Sequence, residues 1–191
     1  RLDKGQGLVL HFGMTGFLQY FKNDDREPAH ERLRLYLENG YSLAYDNTRL
    51  LGRVFLASDR GRFVEERGLG PDALAVDFGQ FTEIVGRGRG AIKSTLMNQK
   101  MLAGLGNVYT DEILFQARIH PETPVGAMGE ERLRSVYERM REVLEKAVDV
   151  QADPGRMPGS YLLPHRADGD SCPRCGATVR KITLSGRAPY L

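Results

Sequence analysis

The alternation of apolar and polar residues predicts that the first part of the chain is built from β-strands. Leu33, Leu35 and Leu37 share one face of residues 32–38, which is the period-two pattern of a half-buried strand. Asn39-Gly40 follows, and this dipeptide favours a tight hairpin turn. Short apolar runs predict further strands at 7–12, 16–21, 41–45 and 53–57. Residues 1–60 are therefore expected to be mostly antiparallel β-structure.

The second part of the chain has the three- and four-residue spacing of helices. Residues 129–148 predict an amphipathic helix whose apolar face holds Leu133, Val136, Tyr137, Met140, Leu144, Ala147 and Val148. Shorter helices are predicted at 91–98 and 107–118. Residues 61–90 are rich in glycine and predict an irregular stretch. Residues 151–171, rich in proline and glycine, predict a loop with a short strand at 161–163.

Residues 98–121 predict a helix end, a tight turn and a helix start. Gly104 and Gly106 suit a backbone with positive φ, and Asn107 is a favourable N-cap for the helix that follows. Asp111 and Glu112 fall in its first turns, where carboxylates complement the helix dipole. Such a helix start presents N–H groups that can bind phosphate. An ordinary turn between helices, without a ligand, would show the same pattern.

The charge distribution is uneven along the 191 residues, although the net charge is only +2. Residues 84–107 contain four basic residues and no acidic one, and residues 151–191 contain six basic and three acidic ones. Residues 108–150, in contrast, contain six basic and nine acidic residues. A nucleic-acid footprint is therefore expected on the turn stretch and the tail. No apolar run approaches the ~20 residues of a membrane span, so a membrane partner is not expected.

Two cysteines in the tail have the spacing of a metal site. Cys172-Pro173-Arg174-Cys175-Gly176 is a zinc-knuckle half-site, because the tight turn lets two thiolates reach one ion. Zinc ribbons place a second cysteine pair 15–20 residues further on, so the simplest interpretation is a chain cut before that pair. A histidine ligand, with His165 the nearest, or two free thiols are the alternatives. No catalytic set can be assembled from the sequence spacing.

Three motifs in order resemble those of the formamidopyrimidine-DNA glycosylase/endonuclease VIII family. Residues 97–121, centred on Gly104-Leu105-Gly106-Asn107-Val108-Tyr109, are similar to its helix–two-turn–helix. The tail from Cys172 to Gly186-Arg187 resembles its zinc-finger hairpin. His11-Phe12-Gly13-Met14-Thr15-Gly16 resembles a motif of its N-terminal β-sandwich. The resemblance implies a base-excision-repair enzyme that removes oxidised bases from double-stranded DNA and then cleaves the abasic strand.

The resemblance assigns DNA-binding roles to several residues. Asn107, in the turn with Gly104 and Gly106, and Arg187 would hold phosphates beside the flipped nucleotide, and Met14 would fill the gap that the base leaves. Further candidates are Arg32, near a phosphate-contacting position, and Arg49, in a loop where the family often has Arg-Arg-Phe. The family's catalytic residues are an N-terminal proline, the glutamate after it and a lysine of the sandwich, and none of them is identified here. The chain is accordingly expected to lack the nucleophile segment.

The predicted fold class is α+β. A partial antiparallel β-sandwich (1–80) and a linker (81–90) precede a helix–two-turn–helix DNA-binding domain (91–150), a loop (151–171) and an incomplete zinc finger (172–191). The protein is expected to be a bacterial, cytoplasmic, nucleoid-associated monomer that uses zinc. The alternative function is a non-catalytic nucleic-acid-binding protein with the same two DNA-binding elements.

These expectations predict that the 191 residues form no Schiff base with DNA. Borohydride treatment of the chain with an abasic duplex should leave no covalent adduct, because the amine that would attack the sugar is not among these residues. A trapped adduct on a denaturing gel would contradict the expectation.

Overall fold

The computed structural model describes residues 6–13, 15–22, 27–181 and 190. The chain divides into two compact units, Arg1–Arg67 and Gly68–Leu191, and each is considered by itself. The first unit is β-rich and the second helical, which confirms the predicted α+β class. The finer domain limits remain predictions.

Five antiparallel strands and one helix make up the described part of the first unit. The strands are β1 (Gly7–His11), β2 (Gly16–Phe21), β3 (Glu31–Tyr36), β4 (Ser42–Asn47) and β5 (Arg53–Ala57). They form a two-stranded sheet, β1-β5, and a three-stranded sheet, β2-β4-β3. All five predicted strands are confirmed, with ends shifted by one or two residues. Helix α1 (Arg60–Arg67) follows β5.

The predicted hairpin joins β3 to β4. Gly40 has φ of +77°, and the amide of Leu37 donates to the carbonyl of Tyr41 over 2.8 Å. The central strand β4 is the most buried strand, because it has a neighbour on each side. Its Ala44 and Tyr45 are almost fully buried, with Phe21 of β2.

Glycines bring the loop after β1 against the loop after β4. A Cβ on Gly13 would lie 2.7 Å from the carbonyl carbon of Leu51, and one on Gly52 would lie 1.7 Å from the hydroxyl oxygen of Tyr45. The Tyr45 hydroxyl donates to the carbonyl of His11 over 3.0 Å. The buried Asn47 amide likewise donates to the carbonyl of Phe12 over 3.0 Å. The hydrogen bonds hold the two loops together, and the lack of side chains on Gly13 and Gly52 lets their backbones approach closely.

The second unit contains four helices in its described part. They are α2 (Phe78–Gly86), α3 (Ile92–Leu96), α4 (Asn107–Ala117) and α5 (Glu130–Asp149). Short 3₁₀ turns occur at Val125–Ala127, Pro154–Arg156 and Leu163–His165. The predicted strand at 161–163 is wrong, because residues 161 and 162 form a bend and Leu163 begins the last of these turns. The three predicted helices are confirmed.

The irregular stretch predicted at 61–90 is also wrong, because it contains most of α1 and all of α2. Helix α2 begins with a capping box, in which the Asp77 carboxylate accepts from the amide of Gln80 and the Gln80 side chain accepts from the amide of Asp77. Phe81 and Val85 then face the core. The capping signal is present in the sequence, but the surrounding glycines obscure it.

Helix α5 supplies the long apolar face of this unit. Leu133, Val136, Met140, Leu144 and Ala147 are buried, as predicted. Val143 is also buried, whereas the predicted Val148 is 68% exposed. Ala147 and Val150 are buried beside it, so Val148 lies on the solvent-facing side of the last turn. Among the described residues, no helix is sufficiently long and apolar to cross a membrane.

We predict that Gly52→Ala destabilises the first unit. The added methyl group would overlap the Tyr45 hydroxyl and the Asn47 amide, so the free energy of unfolding should fall by about 1–3 kcal/mol. Urea denaturation measures the change. Gly7→Ala is the matched control, because a Cβ there meets nothing within 4 Å. Equal midpoints for the two variants would contradict the prediction.

Candidate nucleic-acid interface

The turn before α4 is held by one glutamine side chain. The Gln99 amide nitrogen donates to the carbonyl of Leu105 over 2.7 Å, and its carbonyl oxygen accepts from the amide of Gly104 over 3.1 Å. Gly104 has φ of +98°, as the sequence predicted. Gly106 does not have a positive φ; its φ of −105° lies in the extended region. The side chain of Gln99 thus fixes the turn that leads into the helix.

The N-cap of α4 is Gly106 rather than Asn107. Gly106 has extended backbone and no side chain, so this cap makes no side-chain hydrogen bond. Asn107 is the first helical residue and is half-buried. The first amide groups of a helix have no acceptor within the helix. The start of α4 therefore presents backbone donors beside an amide side chain, which is a suitable arrangement for a phosphate.

Asp111 lies one helical turn after Asn107 and is buried in an ion cluster. Its carboxylate accepts from Lys93 Nζ of α3 over 2.5 Å. Its other oxygen accepts from Arg166 Nε over 3.2 Å and Nη2 over 2.7 Å. The side chains of Asp111 and Lys93 are 1% and 4% exposed. The sequence predicted that Asp111 complements the helix dipole; the structure shows in addition that two cations surround it.

Glu112 binds the backbone of the segment that follows α5. Its carboxylate accepts from the amides of Leu162 and Leu163 over 3.2 and 2.7 Å, and from the side chain of Gln116 over 2.7 Å. Burial raises the pKa of Glu112, and these donors and the charge of Arg174 oppose the rise. Glu112 fastens the 161–166 segment to α4.

The tail is attached to the other end of α4 by Arg174. Its guanidinium lies over the ring of Phe115, 4.2 Å from the centroid, and donates to the carbonyl of Phe115 over 2.9 Å. Arg174 lies between the two cysteines, so this contact holds the knuckle directly on the helix. Cation–π contact of this kind stabilises a site beyond simple burial.

Cys172 and Cys175 form the turn that a zinc knuckle requires. The amide of Gly176 donates to the carbonyl of Cys172 over 2.9 Å, and Gly176 has φ of +74°. Burial would raise the pKa of the Cys172 thiol, but the amides of Arg174 and Cys175 donate to the sulfur, and its pKa is lowered. Stabilised thiolate is the form that binds zinc. In the described residues, no third histidine, cysteine or carboxylate joins the pair.

His165 does not complete the cysteine pair, so this alternative is not supported. Its Nε2 lies 3.0 Å from the carbonyl oxygen of Gly159, inside the 151–171 segment. The two thiols are not joined by a disulfide.

The predicted site residues of the first unit lie around its two fixed loops. Arg49 is exposed, and its amide donates to the Thr15 hydroxyl over 3.2 Å, which brings the two loops together. Arg32 Nε donates to the carbonyl of Asn47 over 3.1 Å, just before the second loop. Met14 lies outside the described residues, as does Arg187 of the tail.

The β-rich unit, the helix–two-turn–helix and the cysteine turn together define a class of DNA-repair glycosylases. Family models agree: the formamidopyrimidine-DNA glycosylase N-terminal domain matches residues 1–54, and the H2TH domain of the same enzymes matches residues 69–157. The chain belongs to the formamidopyrimidine-DNA glycosylase family.

Individual relatives support the assignment. The chain is 34% identical to the formamidopyrimidine-DNA glycosylase of Thermus thermophilus, over 99% of this chain and 74% of the relative. It is 30% identical to that of Protochlamydia amoebophila, over 100% of this chain and 74% of the relative.

Solved structures show the same architecture. Lactococcus lactis Fpg in complex with DNA that contains an abasic site has a TM-score of 0.78 and 27% identity, covering 97% of this chain and 73% of that one. MutM in complex with DNA that contains carbocyclic 8-oxo-G has a TM-score of 0.80 and 26% identity, covering 100% and 74%.

We predict that Asp111→Asn strongly destabilises the helical unit. The substitution leaves the buried charge of Lys93 without its carboxylate, so the free energy of unfolding should fall by about 3–5 kcal/mol. Chemical denaturation followed by circular dichroism provides the measurement. Glu145→Gln breaks the exposed pair with Arg141 and should cost no more than about 0.5 kcal/mol. A similar small loss for both variants would refute the buried-cluster account.

Proposed function

We propose that these residues form the DNA-holding part of a base-excision-repair glycosylase and abasic-site lyase that acts on oxidised bases in double-stranded DNA. The observation that carries the proposal is the helix–two-turn–helix in a chain of this family, with its turn fixed by Gln99 and with Asn107 at the helix start. Relatives of the same architecture bind DNA containing an abasic site or an 8-oxo-G analogue. None of the described residues is assigned a catalytic role, and their contribution is to hold the DNA.

The proposed DNA grip consists of two phosphate contacts in the second unit. Asn107 and the amides at the start of α4 hold one phosphate, where Gly104 and Gly106 keep side chains away from the backbone. Arg187 holds a second phosphate beside the same nucleotide. Enzymes of this kind turn the damaged base out of the stack, which costs a few kcal/mol of stacking energy. Paired phosphate contacts on both sides of the nucleotide lower that cost by fixing the bent backbone.

The first unit would support the opened duplex. Met14 fills the gap that the flipped base leaves, and Arg49 or Leu50, on the loop after β4, is the candidate for a second residue in that role. Arg32, whose Nε donates to the carbonyl of Asn47, holds a phosphate with its other N–H groups. The two loops can carry such residues because their backbones are fixed to each other.

Zinc is proposed as the structural metal of the tail. The hydrogen-bonded turn and the lowered pKa of Cys172 fit a zinc knuckle, and Cys172 and Cys175 would supply two thiolate ligands. Zinc bound there would stabilise the tail fold and would take no part in the chemistry. We further propose that the protein acts as a monomer in the bacterial cytoplasm, associated with the nucleoid.

We predict that Asn107→Ala and Arg187→Ala each weaken binding to a duplex containing a tetrahydrofuran abasic analogue by about tenfold, the loss expected for one phosphate contact. Fluorescence anisotropy measures the affinity, and thermal melting should show little change. The control variant Arg134→Met changes an exposed residue of α5 and should bind the duplex with unchanged affinity. Unchanged affinity in both test variants would contradict the proposed phosphate contacts. Equal affinity for damaged and undamaged duplexes would favour a non-catalytic nucleic-acid-binding protein.

A further inference from the structure

A cavity lies between the end of α4 and the start of α5. Its volume is about 470 Å³, and it is lined by Arg118 and Arg132 together with His120, Ser135 and Glu131. Concave sites of this size are suited to small molecules. Most of the lining side chains are polar, so the cavity should accept a polar ligand.

The two arginines of this cavity form no ion pair with the protein itself. Three other arginines of α5, at positions 134, 139 and 141, each pair with a carboxylate three or four residues away. Within the described residues, no carboxylate pairs with Arg118 or Arg132. A guanidinium presents five N–H donors in a planar fork that matches the oxygens of a phosphate. The donors of Arg118 and Arg132 are therefore available to a ligand.

His120 adds a neutral donor to the same cavity. Its Nδ1 accepts from the amide of Glu122 over 3.3 Å, so the neutral imidazole carries its proton on Nε2. The hydroxyl groups of Thr123 and Ser135 also line the cavity and can donate. Charged and neutral donors thus surround one space, which is the environment that an oxyanion requires.

The backbone that carries Arg118 and His120 is held in place by hydrogen bonds. Arg118 has φ of +57° at the end of α4, and its amide donates to the carbonyl of Phe115 over 3.1 Å. A residue with a side chain seldom adopts this conformation unless the surrounding structure enforces it. The following segment is attached to α3, because the amide of Ile92 donates to the carbonyl of Thr123 over 2.8 Å. A ligand would therefore meet donors on an ordered backbone, which lowers the entropic cost of binding.

We propose that this cavity binds the phosphate group of a small molecule, either inorganic phosphate or a mononucleotide. Arg118 and Arg132 supply charge-assisted hydrogen bonds, and His120 supplies a neutral one. Glu131 in the same lining repels negative charge, which favours a small ligand over the continuous polyanion of a nucleic acid. Arg118 is eleven residues after Asn107, roughly 16 Å along α4, so the cavity is separate from the phosphate contact proposed for Asn107.

The test is a titration of the protein with inorganic phosphate and with deoxyguanosine monophosphate at constant ionic strength, followed by the NMR chemical shifts of the backbone amides. Both ligands should shift the amides of residues 118–123 and 131–135, with a Kd on the order of 1 mM. Arg118→Met and Arg132→Met should each weaken binding about tenfold, the loss expected for one charge-assisted contact. Tighter binding of the nucleotide would support a nucleotide as the occupant, and equal binding would support recognition of the phosphate group alone.

Two further variants make the test specific. Glu131→Gln removes a like charge from the cavity and should strengthen phosphate binding about threefold, which is the opposite sign to the arginine variants. Arg134→Met is the matched control, because Arg134 lies on the same helix but pairs with Glu130 over 3.0 Å and lies over the ring of Phe78. Its phosphate affinity should equal that of the unmodified protein.

Two kinds of result would overturn the proposed phosphate site. The first is equal phosphate affinity in the unmodified protein and both arginine variants, or shifts confined to other residues. The second is weaker duplex binding by Arg118→Met or Arg132→Met without any phosphate binding, since that result would assign the arginines to a nucleic acid. The Asn107 contact is tested by its own variant, so either site can fail while the other stands.

Discussion

The helical unit depends on a carboxylate that is buried between two cations. Removing Asp111, Lys93 and Arg166 from water is costly, and the cost is recovered only when all three are in place with good geometry. That requirement selects one arrangement of α3, α4 and the segment after α5 over other compact packings. The carboxylate of Glu112, the next residue, accepts hydrogen bonds from two backbone amides of the same segment. Adjacent acidic residues thus determine how the tail lies on the helix.

Because α4 bears these attachments along its whole length, it acts as the common support of the proposed grip. In the proposed grip its first turn would face a phosphate; its second turn binds Arg166, and its last turn binds the knuckle through Phe115 and Arg174. A helix rises only 1.5 Å per residue and is stiff over this distance. Elements that are distant in sequence are therefore held at fixed separations, as recognition of a bent DNA backbone requires.

Local signals predicted the strands and helices, but they could not predict the contacts of the site. The alternation of residues 32–38, the Asn39-Gly40 turn and the spacing of α5 are short-range properties, and the structure confirms them. The partners Asp111 and Arg166 are separated by 55 residues, and no local pattern joins them. Asn107 is a good N-cap by residue type, yet Gly106 takes that position because the turn before it ends one residue earlier. The burial of Asp111 and Glu112 was likewise not predicted, because composition alone carries no information about burial.

The packed glycines of the first unit bear on which substitutions the loop after β4 can tolerate. The backbone of the loop at residues 48–52 is fixed from below by Gly13, Gly52 and the buried Asn47. Leu50 and Leu51, at the tip of this loop, are 67% and 53% exposed. Substitutions of these two side chains should therefore leave the supporting frame intact.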